Sequence, residues 1–284
     1  MFKLEFKNAD THEGGRVAYH IMSPQNNEEI HEHDFTELVL ITGGSGTHFN
    51  EHSSYNISTR DLFVIPLGQK HGYKNTRNLS LINIMFKEDF ISLSKSDIVN
   101  LPGYQSLFII EPGMKSGEGQ SHLKLGKDKW LDIQKSVDLL RHEIDSEEGG
   151  HALYVDTLLT QIIIQASRAY PGVGHFIDDE SFRLAELFSF IEQNLHHPLN
   201  TPELADIAGI SLSTLQRKIR SVTGESLTSM INRLRIERSK TLLHDTDLSV
   251  TQVALRVGFE DGNYFSKVFR KFLGTSPRQW RLKE

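Results

Sequence analysis

Short runs rich in Val, Ile, Leu and Phe recur through roughly the first 87 residues, and such runs at close spacing are typical of β-strands. The clearest runs are residues 37–41, 55–58, 62–65 and 79–86, and Gly, Asn and Ser turns separate them. Short strands at this spacing favour a small barrel or sandwich. The chain is then partly rich in Gly and Ser up to about residue 127, and we expect irregular structure there.

The hydrophobic period changes to that of an amphipathic helix after residue 127. Its apolar positions follow a 3-4-3-4 spacing, which forms a seam typical of a coiled-coil-like helix. The seam residues are Trp130, Ile133, Val137, Leu140 and Ile144. A Glu-Glu-Gly-Gly breaker precedes a second predicted helix, which ends near Tyr170, and Pro-Gly-Val-Gly at 171–174 predicts a linker. Two interpretations stay open: a helical hairpin that covers the barrel, or a homodimer contact formed by part of the seam.

The last hundred residues carry one helical pattern twice. A short helix, a glycine turn (Gly209, then Gly258) and a second helix with one apolar face predict two helix-turn-helix units. Thr201 stands before Pro202 as the expected N-cap of the first short helix. This motif places its second helix in the major groove of DNA. One chain would therefore carry two DNA-reading helices.

The outer faces of these second helices are polar and partly basic. Candidate contacts on the first are Ser211, Ser213, Thr214, Gln216, Arg217 and Arg220. Those on the second are Asn263, Tyr264, Ser266, Lys267 and Arg270. Gln pairs with adenine, Arg with guanine, and Ser or Thr with a base edge or a phosphate. We also expect Lys218 on the outer face. A merely solvated surface is the alternative, and the repetition of the pattern argues against it.

A predicted helix from about residue 226 to 243 connects the two units. Its 18 residues span roughly 27 Å at 1.5 Å per residue. With the width of the units added, the two reading helices lie near the separation of successive major grooves, roughly 34 Å. Four basic residues on this helix are expected at phosphate groups. They are Arg233, Arg235, Arg238 and Lys240.

Composition sharpens this division. The 284 residues, 38% hydrophobic and 24% charged, fit an ordinary globular protein of two domains. The net charge is −6, but residues 181–284 hold 15 basic and 11 acidic residues and the remainder holds 16 and 26. Only the C-terminal part therefore has a net positive charge, which is the sign expected of a part that binds DNA phosphates. Without cysteine, an apolar leader or a spanning segment, we expect a cytoplasmic protein that does not enter membranes.

The C-terminal hundred residues resemble the AraC/XylS family of transcription regulators. The resemblance rests on both units and on residues 232–243, 257–270 and 274–278. It implies a seven-helix domain, double-stranded promoter DNA and RNA polymerase as partners, and binding as a homodimer. By the motif match, the first groove is read by Ser213, Gln216 and Arg217, and the second by Asn263, Lys267 and Arg270. Gly262 departs from the usual serine or proline, which loosens that helix start.

Histidines concentrate in the N-terminal part. Period two in a strand would place His31, His33 and Glu37 on one face. Residues 31–37, and 66–75 with His71, resemble the two cupin motifs apart from their opening glycines. In metal-binding cupins the matching ligands would be His31, His33, Glu37 and His71. Such a set suits a divalent ion of zinc, iron, nickel or manganese.

A metal is nevertheless not required, because the same pocket can bind an organic effector through hydrogen bonds. The candidate ligand-binding residues are His33, Glu37, His48, His71 and Tyr73. The N-terminal sequence around these positions is most similar to rhamnose-responsive members of the family, which implies a sugar effector.

These patterns predict an α+β protein. Residues 1–127 would form a cupin-like β-barrel sensor, 128–174 a helical hairpin and linker, and 175–284 an all-α domain with tandem helix-turn-helix units. The function expected is that of a ligand-responsive, sequence-specific regulator of sugar-utilisation genes, not an enzyme. One alternative is a metal-dependent cupin enzyme, a dioxygenase or sugar isomerase, fused to a DNA-binding module. Another is constitutive DNA binding with a purely structural barrel.

Overall fold

A bent, largely antiparallel sheet dominates the N-terminal part of the chain. The computed structural model describes residues 3–4, 16–51, 53–87, 96–113, 122–146, 148–170 and 180–282. Within these, the strands are β1 (Lys3–Leu4), β2 (Val17–Met22), β3 (Glu28–His33), β4 (Thr36–Asn50), β5 (Ser54–Ser58), β6 (Asp61–Ile65), β7 (His71–Phe86) and β8 (Leu123–Lys124). They follow the order β1-β3-β7-β4-β6-β8, with β2 also on β7 and β5 also on β4. The four runs predicted as strands all lie in β4 to β7.

The two long strands β4 and β7 give the sheet an inner and an outer face. Register shifts in their pairing bend it between Ile41 and Thr47. Gly44 lies in this bend with φ +68°, and a Cβ there would meet Asn78 O at 2.1 Å, so a glycine is required. Alternate residues then point to opposite faces. The inner apolar cluster comprises Val39, Ile41, Ile57, Phe63, Ile65, Tyr73, Leu79 and Leu81.

Residues 97–113 are largely helical, so the expectation of irregular structure is wrong there. A 3-10 helix (Asp97–Asn100), α1 (Pro102–Gln105), a π-helical turn (Ser106–Ile110) and α2 (Glu111–Gly113) follow one another. The cause is the apolar run at 107–110, two of whose side chains are buried in the π-helical turn. Most of the Gly- and Ser-rich stretch, residues 114–121, lies outside the described residues.

Two long helices, α3 (Lys127–Ile144) and α4 (His151–Ala169), cover the outer face of the sheet. All five seam residues of α3 are buried in one cluster with β4 and β6 side chains such as Leu38 and Leu62. The two helices therefore cover the sheet, as the hairpin interpretation expects. A homodimer contact formed by part of the seam stays a prediction.

Seven helices follow in the part of the chain described between residues 180 and 282, which confirms the α+β prediction. They are α5 (Glu180–Asn194), α6 (Thr201–Ile207), α7 (Leu212–Thr223), α8 (Leu227–Asp245), α9 (Val250–Arg256), α10 (Gly262–Leu273) and α11 (Pro277–Arg281). The N-cap of α6 is Asn200, not Thr201 as predicted; Thr201 is its first helical residue. The structure separates into two compact units, residues 1–185 and 186–284. The predicted linker at 171–174 lies outside the described residues, and the predicted domain boundaries stay predictions.

The two helix-turn-helix units have glycines at the same two places, the turn and the end of the second helix. Gly209 and Gly258 provide the turns with φ +65° and +98°, where left-handed backbone favours glycine. The second helices α7 and α10 both end at a left-handed glycine, Gly224 and Gly274. Helix α8 joins the units over 19 residues, which is about 28 Å at 1.5 Å per residue. Among all the described helices, none combines the length and apolar content of a membrane span.

Candidate functional site

One end of the sheet interior is polar, and three strands build it. His33 ends β3, Glu37 lies at the start of β4 and His71 begins β7, and all three side chains are buried. The prediction that His31, His33 and Glu37 share one strand is wrong, because a bend at residues 34–35 separates β3 from β4. They still converge, since β7 pairs with both strands.

These three side chains form a compact cluster of ligand atoms. His33 Nε2 and His71 Nε2 lie 3.8 Å and 3.9 Å from Glu37 Oε2, and one atom from each residue fits within 4.8 Å of the others. His31, the fourth predicted metal ligand, is not in this set. Its ring lies 4.3 Å from that of His71, and its Nδ1 lies 3.1 Å from Glu29 O. Two imidazoles and a carboxylate have the donor chemistry that suits a divalent transition metal.

Burial controls the ionisation of this cluster. It raises the pKa of the Glu37 carboxyl to about 8, with a smaller contribution from Glu28. Burial also lowers the pKa of His33 to about 4 and that of His71 well below its usual value. The charged form of each group is disfavoured where water is excluded. Without a bound cation the cluster would be mostly uncharged at neutral pH, and a bound cation would displace the proton of Glu37.

The remaining predicted ligand-binding residues lie beside this cluster. The His48 ring is 5.6 Å from that of His71 and 5.4 Å from that of Tyr73, centroid to centroid. Burial lowers the pKa of His48 to about 3. Both His48 nitrogens and the Tyr73 hydroxyl are buried without a hydrogen-bond partner among the described residues. The structure thus brings His33, Glu37, His48, His71 and Tyr73 to one end of the interior.

Two further aromatic residues line this end and were missed from the sequence. The Tyr55 ring lies 5.0 Å from that of His48, and His122 stacks on Tyr55 at 5.1 Å. Alternation with buried Ile57 on β5 was a signal for Tyr55. His122 had no such signal, because it enters beside β8, a two-residue strand in a stretch predicted as irregular.

The two reading helices present most of their predicted contacts outward. On α7 and α10 the exposed side chains are Ser213, Gln216, Arg217, Arg220, Asn263, Tyr264, Lys267 and Arg270. Thr214 and Ser266 are half-buried. Lys218 is only 6% exposed, so its predicted place on the outer face is wrong. Position 218 directly precedes Ile219 of the buried face, and both side chains are buried.

Some polar atoms at these helices have structural partners. Ser211 caps α7, where its Oγ accepts a hydrogen bond from the Thr214 amide. Asp261 caps α10 by accepting from the Asn263 amide. The Ser266 hydroxyl donates to Gly262 O within the helix. Ser211 therefore positions α7, and a DNA contact from Ser211 stays a prediction.

The basic residues of α8 have partners within the chain. Arg235 donates to the Leu195 and His197 carbonyls at 2.9 Å each. The other pairs are Arg233 with Glu225 at 2.8 Å, Arg238 with Glu192 at 3.1 Å and Lys240 with Glu237 at 2.6 Å. These pairs give the four residues a structural role, and their contacts to phosphate stay a prediction.

Comparisons with known proteins agree with both parts of this description. A family described as an AraC-like ligand binding domain matches residues 13–115, and a helix-turn-helix domain family matches residues 204–283. The transcriptional activator RhaS of Enterobacter sp. (strain 638) is 30% identical over 266 residues, covering 93% of this chain and 91% of RhaS. RhaR of the same organism is 28% identical over 269 residues, covering 94% and 92%.

Among solved structures, an AraC-type regulator from Chromobacterium violaceum is 32% identical and covers 36% of this chain and 90% of its own, with a TM-score of 0.34. The matched relatives are transcriptional activators, so the alternative of a metal-dependent enzyme is not supported. The chain belongs to the AraC/XylS family and is a ligand-responsive, DNA-binding regulator of transcription.

Proposed function

We propose that the chain activates sugar-utilisation genes when a small polyhydroxylated effector binds in the sheet interior. The observation that carries this proposal is a set of buried polar atoms without hydrogen-bond partners among the described residues. They are His33 Nε2, Glu37 Oε2, both nitrogens of His48 and the Tyr73 hydroxyl. Buried polar groups are normally paired. A molecule with several hydroxyl groups would supply both donors and acceptors to them.

The neighbouring surface suits a sugar as well. His48 lies 5.0 Å from the rings of both Tyr55 and Phe63, centroid to centroid. Aromatic faces accept the C–H side of a sugar ring, while polar atoms beside them bind its hydroxyls. The interior therefore offers an apolar wall next to hydrogen-bonding groups, which is the combination that sugar recognition needs.

In this proposal the effector shifts the population towards the DNA-competent form, by no more than its differential affinity for the two forms. The protein acts in the cytoplasm as a homodimer on promoter DNA and contacts RNA polymerase. Two relatives that match over nine-tenths of the chain are named transcriptional activators, which supports activation as the output.

A binding experiment tests the effector part of the proposal. L-rhamnose, other deoxyhexoses and pentoses are each added to the purified chain while the melting temperature and the affinity for promoter DNA are measured. We expect one class of sugar to change both. His48→Phe should abolish the response, and His142→Phe, on an exposed position of α3, should retain it. Absence of any response to every sugar would favour a purely structural barrel.

Genome-wide mapping of bound sites tests the promoter part. We expect the strongest sites upstream of genes for sugar transport and catabolism. Sites scattered without relation to such genes would contradict the assignment.

A further inference from the structure

We propose that His33, Glu37 and His71 bind one divalent transition-metal ion, whose open coordination positions receive oxygen atoms of the effector. The metal part rests on the cluster itself, and the effector part rests on the proposed function. Two ligand atoms that are each about 2.1 Å from one ion lie at most about 4.2 Å apart. The measured separations of 3.8 Å and 3.9 Å from Glu37 Oε2 to the two histidine nitrogens are within that limit.

Hydrogen bonds to the backbone orient both imidazoles for this role. His33 Nδ1 lies 2.6 Å from Phe35 O, and His71 Nδ1 lies 3.2 Å from Gln69 O. A carbonyl oxygen only accepts, so each Nδ1 carries the proton and each Nε2 presents its lone pair to the cluster. Metal-binding histidines have this arrangement, with the outer nitrogen fixed by a carbonyl or carboxylate. Phe35 also stacks on the His33 ring at 4.4 Å.

The cluster does not satisfy itself by hydrogen bonds. The 3.8 Å and 3.9 Å separations are too long for a hydrogen bond, and His33 Nε2 and Glu37 Oε2 have no other partner among the described residues. Two nitrogen lone pairs and a carboxyl oxygen therefore face one another away from water. A cation at their centre would pair with all three at once.

Two further residues with unpartnered polar atoms flank the cluster in the described part of the chain. They are His48 and Tyr73. Three protein ligands leave positions of the ion vacant, as in sites with two histidines and one carboxylate. Adjacent hydroxyl groups, or a hydroxyl beside a carboxylate, would fill two of these positions. The expected ligand class is therefore a small chelating oxygen compound, bound with help from His48 and Tyr73.

Cobalt binding tests the metal site without effector or DNA. The full chain is stripped with a chelator and dialysed, and Co²⁺ is added while visible absorption and bound metal per chain are measured. We expect one Co²⁺ per chain, with absorption bands of a nitrogen- and oxygen-coordinated ion. Zn²⁺ should displace the Co²⁺ and remove the bands.

Three variants locate the site. Glu37→Gln keeps the side-chain shape, and His71→Asn removes one imidazole. Each should weaken Co²⁺ binding more than about 100-fold. Removing only a group that hydrogen-bonds to a metal ligand already lowers metal affinity about 10–100-fold, and these variants change a ligand itself. The matched control His142→Asn changes an exposed position of α3 and should bind Co²⁺ like the unaltered chain. No stoichiometric Co²⁺ on the folded chain, or equal binding by all three variants, would overturn the proposal.

The same preparations separate this proposal from the proposed function. If a sugar changes DNA affinity equally in the chelated and the metal-loaded chain, the metal does not receive the effector, and the proposed function stands alone. If Co²⁺ binds as expected and no sugar changes DNA affinity, the metal site stands and the proposed effector class is wrong. His48→Asn should retain Co²⁺ but lose the sugar response, and loss of Co²⁺ binding by a folded His48→Asn chain would contradict the assignment of three ligands.

Discussion

Arginines in the DNA-binding unit have two distinct environments at the scale of single residues. Arg217 is exposed on α7, in the first half of a reading helix. Arg235 instead donates to two carbonyls that follow α5 and lies 5.6 Å over the Phe259 ring. The last carbonyls of a helix have no partner within the helix. Arg235 thus stabilises the end of α5, whereas Arg217 is available to a base.

Replacement of Arg217 by alanine tests its role as a base contact. We expect Arg217→Ala to cost about 1–3 kcal/mol of binding free energy and to relax sequence preference at one position. The measurement is titration against operator duplexes that differ at single base pairs. Arg168→Ala, which removes an exposed charge from α4, is the matched control and should bind normally. Equal loss on every duplex would instead identify Arg217 as a phosphate contact.

The sequence showed which helix positions are basic but not which groups these side chains contact. Arg235 and Arg217 both lie on helix faces with similar neighbours, and nothing local distinguishes a base contact from a structural contact. The carbonyl that Arg235 binds through Nε lies 40 positions away along the chain. Such partners depend on tertiary packing, so the predicted phosphate contacts on α8 could not be checked against local pattern alone.

At the scale of elements, the two helix-turn-helix turns differ in their surroundings. Gly209 and Gly258 both have positive φ, but a Cβ on Gly209 would meet nothing within 4 Å. A Cβ on Gly258 would lie 2.0 Å from Leu195 O, which follows α5. The second turn is therefore packed against the end of α5, and the first is open.

The two turn glycines give a matched pair of variants. Gly209→Ala should destabilise the chain by about 1–2 kcal/mol through backbone conformation alone. Gly258→Ala should cost about 1–3 kcal/mol more, because the added methyl group also overlaps a carbonyl. Urea unfolding followed by Trp280 fluorescence in a Trp130→Phe background measures this unit. Equal losses for both variants would show that the α5 contact does not constrain the second turn.

The hairpin permits a second comparison between neighbours on α3. Leu140 is fully buried against the sheet, whereas Leu139 is 49% exposed. Leu140→Ala should lower the free energy of unfolding by about 2–5 kcal/mol, and Leu139→Ala by no more than about 0.5 kcal/mol. Both are measured by urea unfolding at several protein concentrations. A Leu140→Ala loss that grew with protein concentration would mean that the seam contacts a second copy.

Elements with a strong period were predictable, and those held by distant contacts were not. The apolar period of α3 and the short β-rich runs in β4 to β7 identified these elements correctly. The helices between residues 102 and 113 are short and lack a repeat, so no period signalled them. The candidate site shows the same limit. His33, Glu37 and His71 were all among the predicted ligands, but the exclusion of His31 depends on the positions of the ligand atoms in the folded sheet.

At the scale of the whole molecule, α8 fixes how far apart the two reading helices lie. Inserting 5 base pairs between the two recognised segments turns one segment by about half a helical turn. Binding should then fall to that of a single unit, measured by gel shift. Inserting 10 base pairs should not restore it, because a helix of 19 residues cannot lengthen. Full restoration by 10 base pairs would show that the units move independently.

The unpartnered polar interior also has a consequence for protein turnover. A chain without effector buries several polar atoms that lack partners among the described residues, and this lowers its stability. An effector that binds only the folded form at 100 times its dissociation constant adds about 2.7 kcal/mol. Proteases remove unfolded chains, so an effector-filled regulator would persist longer than an empty one. The amount of this protein, and not only its DNA affinity, would then rise with the concentration of its effector.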